Sequence, residues 1–103
     1  MTRFYIKFRK NPLTMPADPE ERVKLWMTML TEVKKDLAAG YFTDWGDCAD
    51  ISEGYCISEL DEQMLHTLVL KYVPYIIFTI KPVLTVDQVM ESIQRAVAGA
   101  KSR

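Results

Sequence analysis

The stretch Tyr72–Val86, YVPYIIFTIKPVLTV, sets the architecture of the chain. The residue before a proline is pushed out of the helical region, so Pro74 ends the helix that precedes it. Ile76–Lys81 then reads as an apolar strand. Pro82 lacks the amide hydrogen that a ladder needs, which puts this strand on a sheet edge or ends it there. Thr85-Val86-Asp87-Gln88 is a capping box. It opens a last helix with Val86, Val89, Met90, Ile93 and Val97 on one stripe, running into the basic tail Lys101–Arg103.

Outward from this stretch, each segment carries its own period. Upstream, Asp61 caps a second helix whose apolar stripe is Met64, Leu65, Leu68, Val69 and Tyr72. Before it, the acidic loop Asp47–Gly54 joins two strands, Tyr41–Gly46 and Tyr55–Leu60. In the first of these, Tyr41, Thr43 and Trp45 take one side and Phe42 and Asp44 the other. At the N-terminus Arg3–Arg9 alternates, Phe4, Ile6 and Phe8 against Tyr5, Lys7 and Arg9, which is the period of a half-buried strand. After the loop Lys10–Asp18, Asp18 is placed as an N-cap, Pro19 at the first helical position, and Glu20 and Glu21 near the positive end of the dipole. That helix carries Val23, Trp26, Met27, Leu30, Val33 and Leu37 and stops at Gly40.

The composition excludes more than it selects. With 103 residues the chain forms one domain, 1–103, with a single core. A formal net charge of −1 gives no electrostatic case for nucleic acid or for an anionic membrane surface. No long apolar region opens the chain, so no signal peptide is expected, and Val73–Phe78, the longest apolar run, is far too short to span a bilayer. Cys48 and Cys56 read as reduced thiols of a cytoplasmic protein.

Two strand–helix–strand units in sequence, joined by right-handed crossovers, predict an α+β ferredoxin-like βαββαβ plait: a four-stranded antiparallel sheet, both crossover helices on one face, and a C-terminal helix. Phe4, Ile6, Phe8, Ile76, Phe78 and Ile80 are expected to face the helices. The helix-free face would hold Tyr5, Lys7, Ile77, Thr79 and Lys81, with Trp45 and either Cys56 and Ser58 or Tyr55 and Ile57. That mixture is too apolar for open water and too polar for a closed core. It fits a homodimer interface enclosing a small cavity.

GYFTDWGDCADISEGYCISE followed by DEQMLHTLVLKYVPYIIFTIKPVLTVDQVMESI resembles the small dimeric α/β-barrel proteins, particularly the muconolactone-isomerase-like group. The shared pattern is a glycine-ended first helix, a hairpin, a second helix ending in Tyr-x-Pro, and a strand closing on Pro-Val before a short helix. The resemblance implies two plaits paired face to face. It leaves the chemistry open, because that superfamily holds isomerases, monooxygenases, haem-handling enzymes and proteins of no known activity.

Lys7 and Lys81 lie on neighbouring strands and the same expected face, where they could hold a carboxylate or enolate, with Tyr5 and Tyr75 as hydrogen-bond donors. Ile77, Thr79 and Trp45 would complete a pocket for a small organic ligand, and Asp44 would serve as base if its alternation brings it there. His66, the single histidine, is the obvious acid–base residue, but a surface position on the second helix is the preferred reading. Asp44, Asp47, Asp50 and Glu53 lack the spacing and central glycine of a calcium loop, and the cysteines lack metal-ligand spacing, so neither metal nor cofactor is expected. A non-catalytic dimeric assembly module is the alternative. An RNA-binding plait ranks third, since EGYCIS has neither the basic lead-in nor the second aromatic of that motif.

Overall fold

The structure, a computed structural model, describes residues 2–101. Its elements follow the order β1 (Arg3–Lys10), α1 (Pro19–Ala38), β2 (Asp44–Asp47), β3 (Gly54–Ser58), α2 (Glu62–Val69), a 3₁₀ turn (Leu70–Tyr72), β4 (Ile76–Val83) and α3 (Val86–Lys101). The chain is α+β, with a four-stranded antiparallel sheet in the order β2-β3-β1-β4. β1 is paired along its whole length with β4, from Arg3 opposite Val83 to Lys10 opposite Ile76. Ser102 and Arg103, the end of the expected basic tail, lie outside the described residues.

The local chemistry read from the chain is visible at the helix ends. The Asp18 carboxylate accepts the Glu21 amide at 3.1 Å, and that of Asp61 accepts the Met64 amide at 2.9 Å. In the capping box, Thr85 N–H donates to Gln88 Oε1 at 2.8 Å, and Gln88 N–H donates to Thr85 Oγ1 at 3.2 Å. Gly40 takes φ +79° and ends α1. Its amide bonds the Leu37 carbonyl at 3.1 Å and the Tyr41 amide bonds that of Asp36 at 2.9 Å, the paired bonds of a Schellman stop.

The sheet has one covered face. Phe4, Ile6, Cys56 and Ser58 are buried there, in register across β1 and β3, with Leu65, Leu68 and Val69 of α2 and Phe42 packed on them. Ser58, fully buried, donates from its hydroxyl to the Tyr41 carbonyl at 2.9 Å and accepts the Leu60 amide at 3.2 Å. It thereby ties the exit of β3 to the segment that leaves α1. A glycine at position 54 is required, because a Cβ there would stand 2.3 Å from the Phe8 ring and 2.7 Å from the Gly46 carbonyl oxygen.

Four local expectations are corrected. β4 continues through Pro82 to Val83, as an edge strand allows, since the missing donor can face away from β1. The last turn of the second helix tightens to 3₁₀ before Pro74. β2 is shorter than Tyr41–Gly46 and out of phase with it: Thr43 N–H donates to the Ile57 carbonyl at 2.9 Å while Asp44 is the register partner of Ile57. That extra residue turns Trp45 onto the covered face, opposite Cys56, instead of the helix-free one. Finally, the inner face of α1 is Trp26, Met29, Val33 and Asp36, and Val23, Met27, Leu30 and Leu37 are exposed.

Asp36 explains that rotation. Its side chain is buried, yet it accepts Lys71 Nζ at 2.7 Å and the Tyr72 hydroxyl at 2.6 Å. An ionised carboxylate can occupy such a position only if its oxygens are paired. Removing Asp36 leaves the buried Tyr72 hydroxyl without its acceptor, while Lys71, which is exposed, returns to water, at a cost of about 1–3 kcal/mol. Asp36→Ala is therefore expected to lower the unfolding free energy by roughly that amount, and Tyr72→Phe by about 1–2 kcal/mol. Urea midpoints on the purified variants measure both.

Candidate functional site

Two concavities flank the sheet. One lies between α1 and the covered face and has a volume of about 160 Å³. Its wall is aromatic: Phe8 from β1, Trp26 from α1, Phe42 and Trp45 around the start of β2, Tyr72 from the 3₁₀ turn and Phe78 from β4. Phe8 stacks on Trp45 with ring centroids 5.6 Å apart, and Tyr72 meets Phe78 edge-on at 6.2 Å. Met29, Val33 and Cys56 complete the apolar lining.

Charge is confined to the rim. Lys10 Nζ stands 5.1 Å from the centre of the Trp26 ring and donates to the Ile51 carbonyl at 3.4 Å, and the Arg22 guanidinium is 5.7 Å from the same ring. Ile51 holds φ +61°, a left-handed conformation that a β-branched residue adopts only under strain. Cys48 and Glu53 close the loop around it through a 2.8 Å backbone bond. Glu53 is paired with Lys7 at 3.1 Å, on the far side of the rim.

Two ionisable groups in the wall stay protonated. Burial pushes the Cys56 thiol up from 9.0 to about 12. Burial, and then the hydrogen bond donated to Asp36, raises the Tyr72 phenol well above its ordinary value. A thiol so placed is not a nucleophile at neutral pH, and the phenolic proton is committed to Asp36. The wall is apolar, and neither group supplies an ionised nucleophile at neutral pH.

The second concavity is on the opposite face, with a volume of about 380 Å³. Tyr5, Lys7, Ile77, Thr79 and Lys81 all line it, so the structure brings these five expected residues together. Lys7 is the register partner of Thr79, and Tyr5 that of Lys81. Of the two parities left open, Tyr55 and Ile57 join this face. Asp44 shares the face but stands apart, accepting the Tyr55 hydroxyl at 3.0 Å, a bond that raises the Tyr55 phenol.

The remaining expected residues fall elsewhere. Trp45 lines the covered cavity instead. Tyr75 sits in the loop before β4, where its carbonyl accepts the Asn11 amide at 2.8 Å, and it lines neither concavity. His66 is exposed on α2, its carbonyl accepting the helix-capping Leu70 amide. Trp26, expected on the apolar stripe of the first helix, and Phe78, expected to face the helices, line the covered cavity, as does Phe42. Among the described residues no group of three or more acidic, histidine or cysteine side chains is placed to hold a metal ion, and no helix is long and apolar enough to cross a membrane.

No protein-family model matches this chain, and no curated protein matches it.

The thiols give a direct check on this geometry. Native protein is expected to react at Cys48, which is exposed, and to protect Cys56 until it unfolds, so a disulfide reagent counts one thiol before denaturant and two after. The raised Cys56 value also fixes a sign. Its contribution to stability is complete below pH 9 and is lost as pH rises toward 12, because the unfolded chain sheds this proton first. Cys56→Ala flattens that alkaline decline in unfolding free energy.

Proposed function

We propose that this chain is a ferredoxin-like plait of the dimeric α/β-barrel type, which binds a small apolar organic molecule in the aromatic cavity beneath α1. The observation that carries the reading is the cavity wall: six aromatic side chains around about 160 Å³, with charge only at the rim. An engineered apolar cavity of about 150 Å³ is enough to take up benzene. The ligand class is therefore a single planar ring or an aliphatic body of that size. A carboxylate or similar end group would remain at the mouth beside Arg9 and Lys10.

Several features support the plait assignment. The strand order β2-β3-β1-β4 is the one two interleaved strand–helix–strand units produce. Side chains of α1 and α2 both pack toward the face that carries Phe4, Ile6 and Cys56. The helix-free face, with Tyr5, Tyr55, Ile57, Ile77 and the lysines, is the dimerisation surface in this reading. There Lys7 and Lys81 offer a second, more polar place for an anionic ligand.

Trp26 and Trp45 are the only tryptophans, and both line the cavity. Intrinsic fluorescence is thus a built-in reporter. Titration with benzoate is expected to give a saturable change in tryptophan emission. Val33→Phe, which fills the cavity from its α1 wall, should abolish that change while the circular dichroism stays native. Lys81→Ala should leave it intact. A linear, unsaturable response in the unsubstituted protein would overturn the cavity reading, and a response lost only in Lys81→Ala would move the site to the helix-free face.

A further inference from the structure

α3 is a helix without a counterpart in its own chain. From Leu84 to Ala100 every residue is exposed, including the whole stripe Val86, Val89, Met90, Ile93 and Val97. The molecule measures 64 × 26 × 24 Å, and its radius of gyration is 17.8 Å. A compact domain of this length has a radius of about 13 Å. The surface agrees: 7550 Å² is exposed, against about 6,000 Å² for a folded monomer of 11.9 kDa. The excess of roughly 1,500 Å² per chain is what an extensive, permanent subunit interface buries.

The same chain cannot cover this stripe in the fold described. Only Leu84 and Thr85 separate β4 from α3, and Thr85 is already the helix cap. Two residues leave no length for a reversal over the α1 layer. A matching surface exists, however, on α1. Val23, Met27, Leu30 and Leu37 form an exposed apolar stripe about 21 Å long at the helical rise, against about 17 Å for Val86–Val97. α2, with eight residues, is too short to receive it.

The two stripes share their spacing: Val86, Met90, Ile93 and Val97 step by four, three and four residues, and Val23, Met27 and Leu30 by four and three, so Ile93 comes within one turn of Met27 whichever way the helix runs.

We propose that α3 is an exchanged arm that lies on the outer stripe of α1 of a second copy of this chain, reciprocally. Leu30 belongs to both the stripe and the cavity lining, so the partner's arm also closes the side of the cavity next to α1. The exchange does not depend on any ligand, nor on whether the helix-free faces pair.

The test starts with light scattering and small-angle X-ray scattering on the full chain at micromolar concentration. A dimer is expected, and Ile93→Asp should weaken it by about a hundredfold or more. Ile93 is exposed in the single chain, so the variant keeps its sheet, as circular dichroism would verify. A compact monomer with a radius near 13 Å would overturn the proposal. So would a dimer indifferent to Ile93→Asp, and that result would leave pairing through the helix-free face standing. In a Cys48→Ser background, the double substitution Met27→Cys and Ile93→Cys with a bismaleimide locates the arm. Cross-linked dimer supports exchange; cross-linking within one chain, or none, refutes it.

Discussion

A single buried carboxylate organises the helical layer. Asp36 reaches from α1 to Lys71 and Tyr72 in the turn between α2 and β4, and its carbonyl takes the Tyr41 amide that closes the Schellman stop. Through these bonds it pins both the roll of α1 and the point where α1 ends. With the helix rolled to deliver Asp36 inward, Trp26, Met29 and Val33 follow on the same face, three and four residues apart. The more aliphatic stripe of the helix is left outside. Replacing water around a carboxylate is expensive, and the two donors to its oxygens, Lys71 and Tyr72, compensate for it.

The cavity is the consequence of that roll. Phe8, Trp45, Tyr72 and Phe78 are rigid, flat groups meeting at angles from stacked to edge-on. Such rings cannot interdigitate as aliphatic side chains do, so space remains between them. Gly54 lets Phe8 lie close to the hairpin, and the strained Ile51 shapes the rim. The groups in the wall that could do chemistry are kept neutral by the same lack of water.

The outer surface follows a different constraint. Small chains bury a low fraction of their surface, and this one sends sixteen residues into a helix that adds little to its own core. Two apolar stripes, on α1 and α3, and a half-apolar sheet face are more exposed apolar surface than a monomer of this size sustains. In the proposed exchange, the entropy of ordering α3 is offset when its stripe is covered.

Local structure was legible in the chain wherever one residue type has one conformational use. Asp18, Pro19, Gly40, Asp61 and the Thr85–Gln88 box marked helix ends, and the alternation of Phe4, Ile6 and Phe8 gave the right face for β1 because a strand's period is two. The gathering of Tyr5, Lys7, Ile77, Thr79 and Lys81 was legible for the same reason. Trp45 was not, because one extra residue before β2 inverts every side chain after it and leaves no mark in the composition. Nor was the roll of α1: its residues include two overlapping apolar stripes, and which one turns inward depends on Asp36 finding partners 35 and 36 positions away. The sequence by itself determined the elements, their order and their caps, since these rest on contacts within a few residues. Only the tertiary structure decided which faces close on one another, and so where the cavity lies, because that choice is made by pairings between residues distant in the chain.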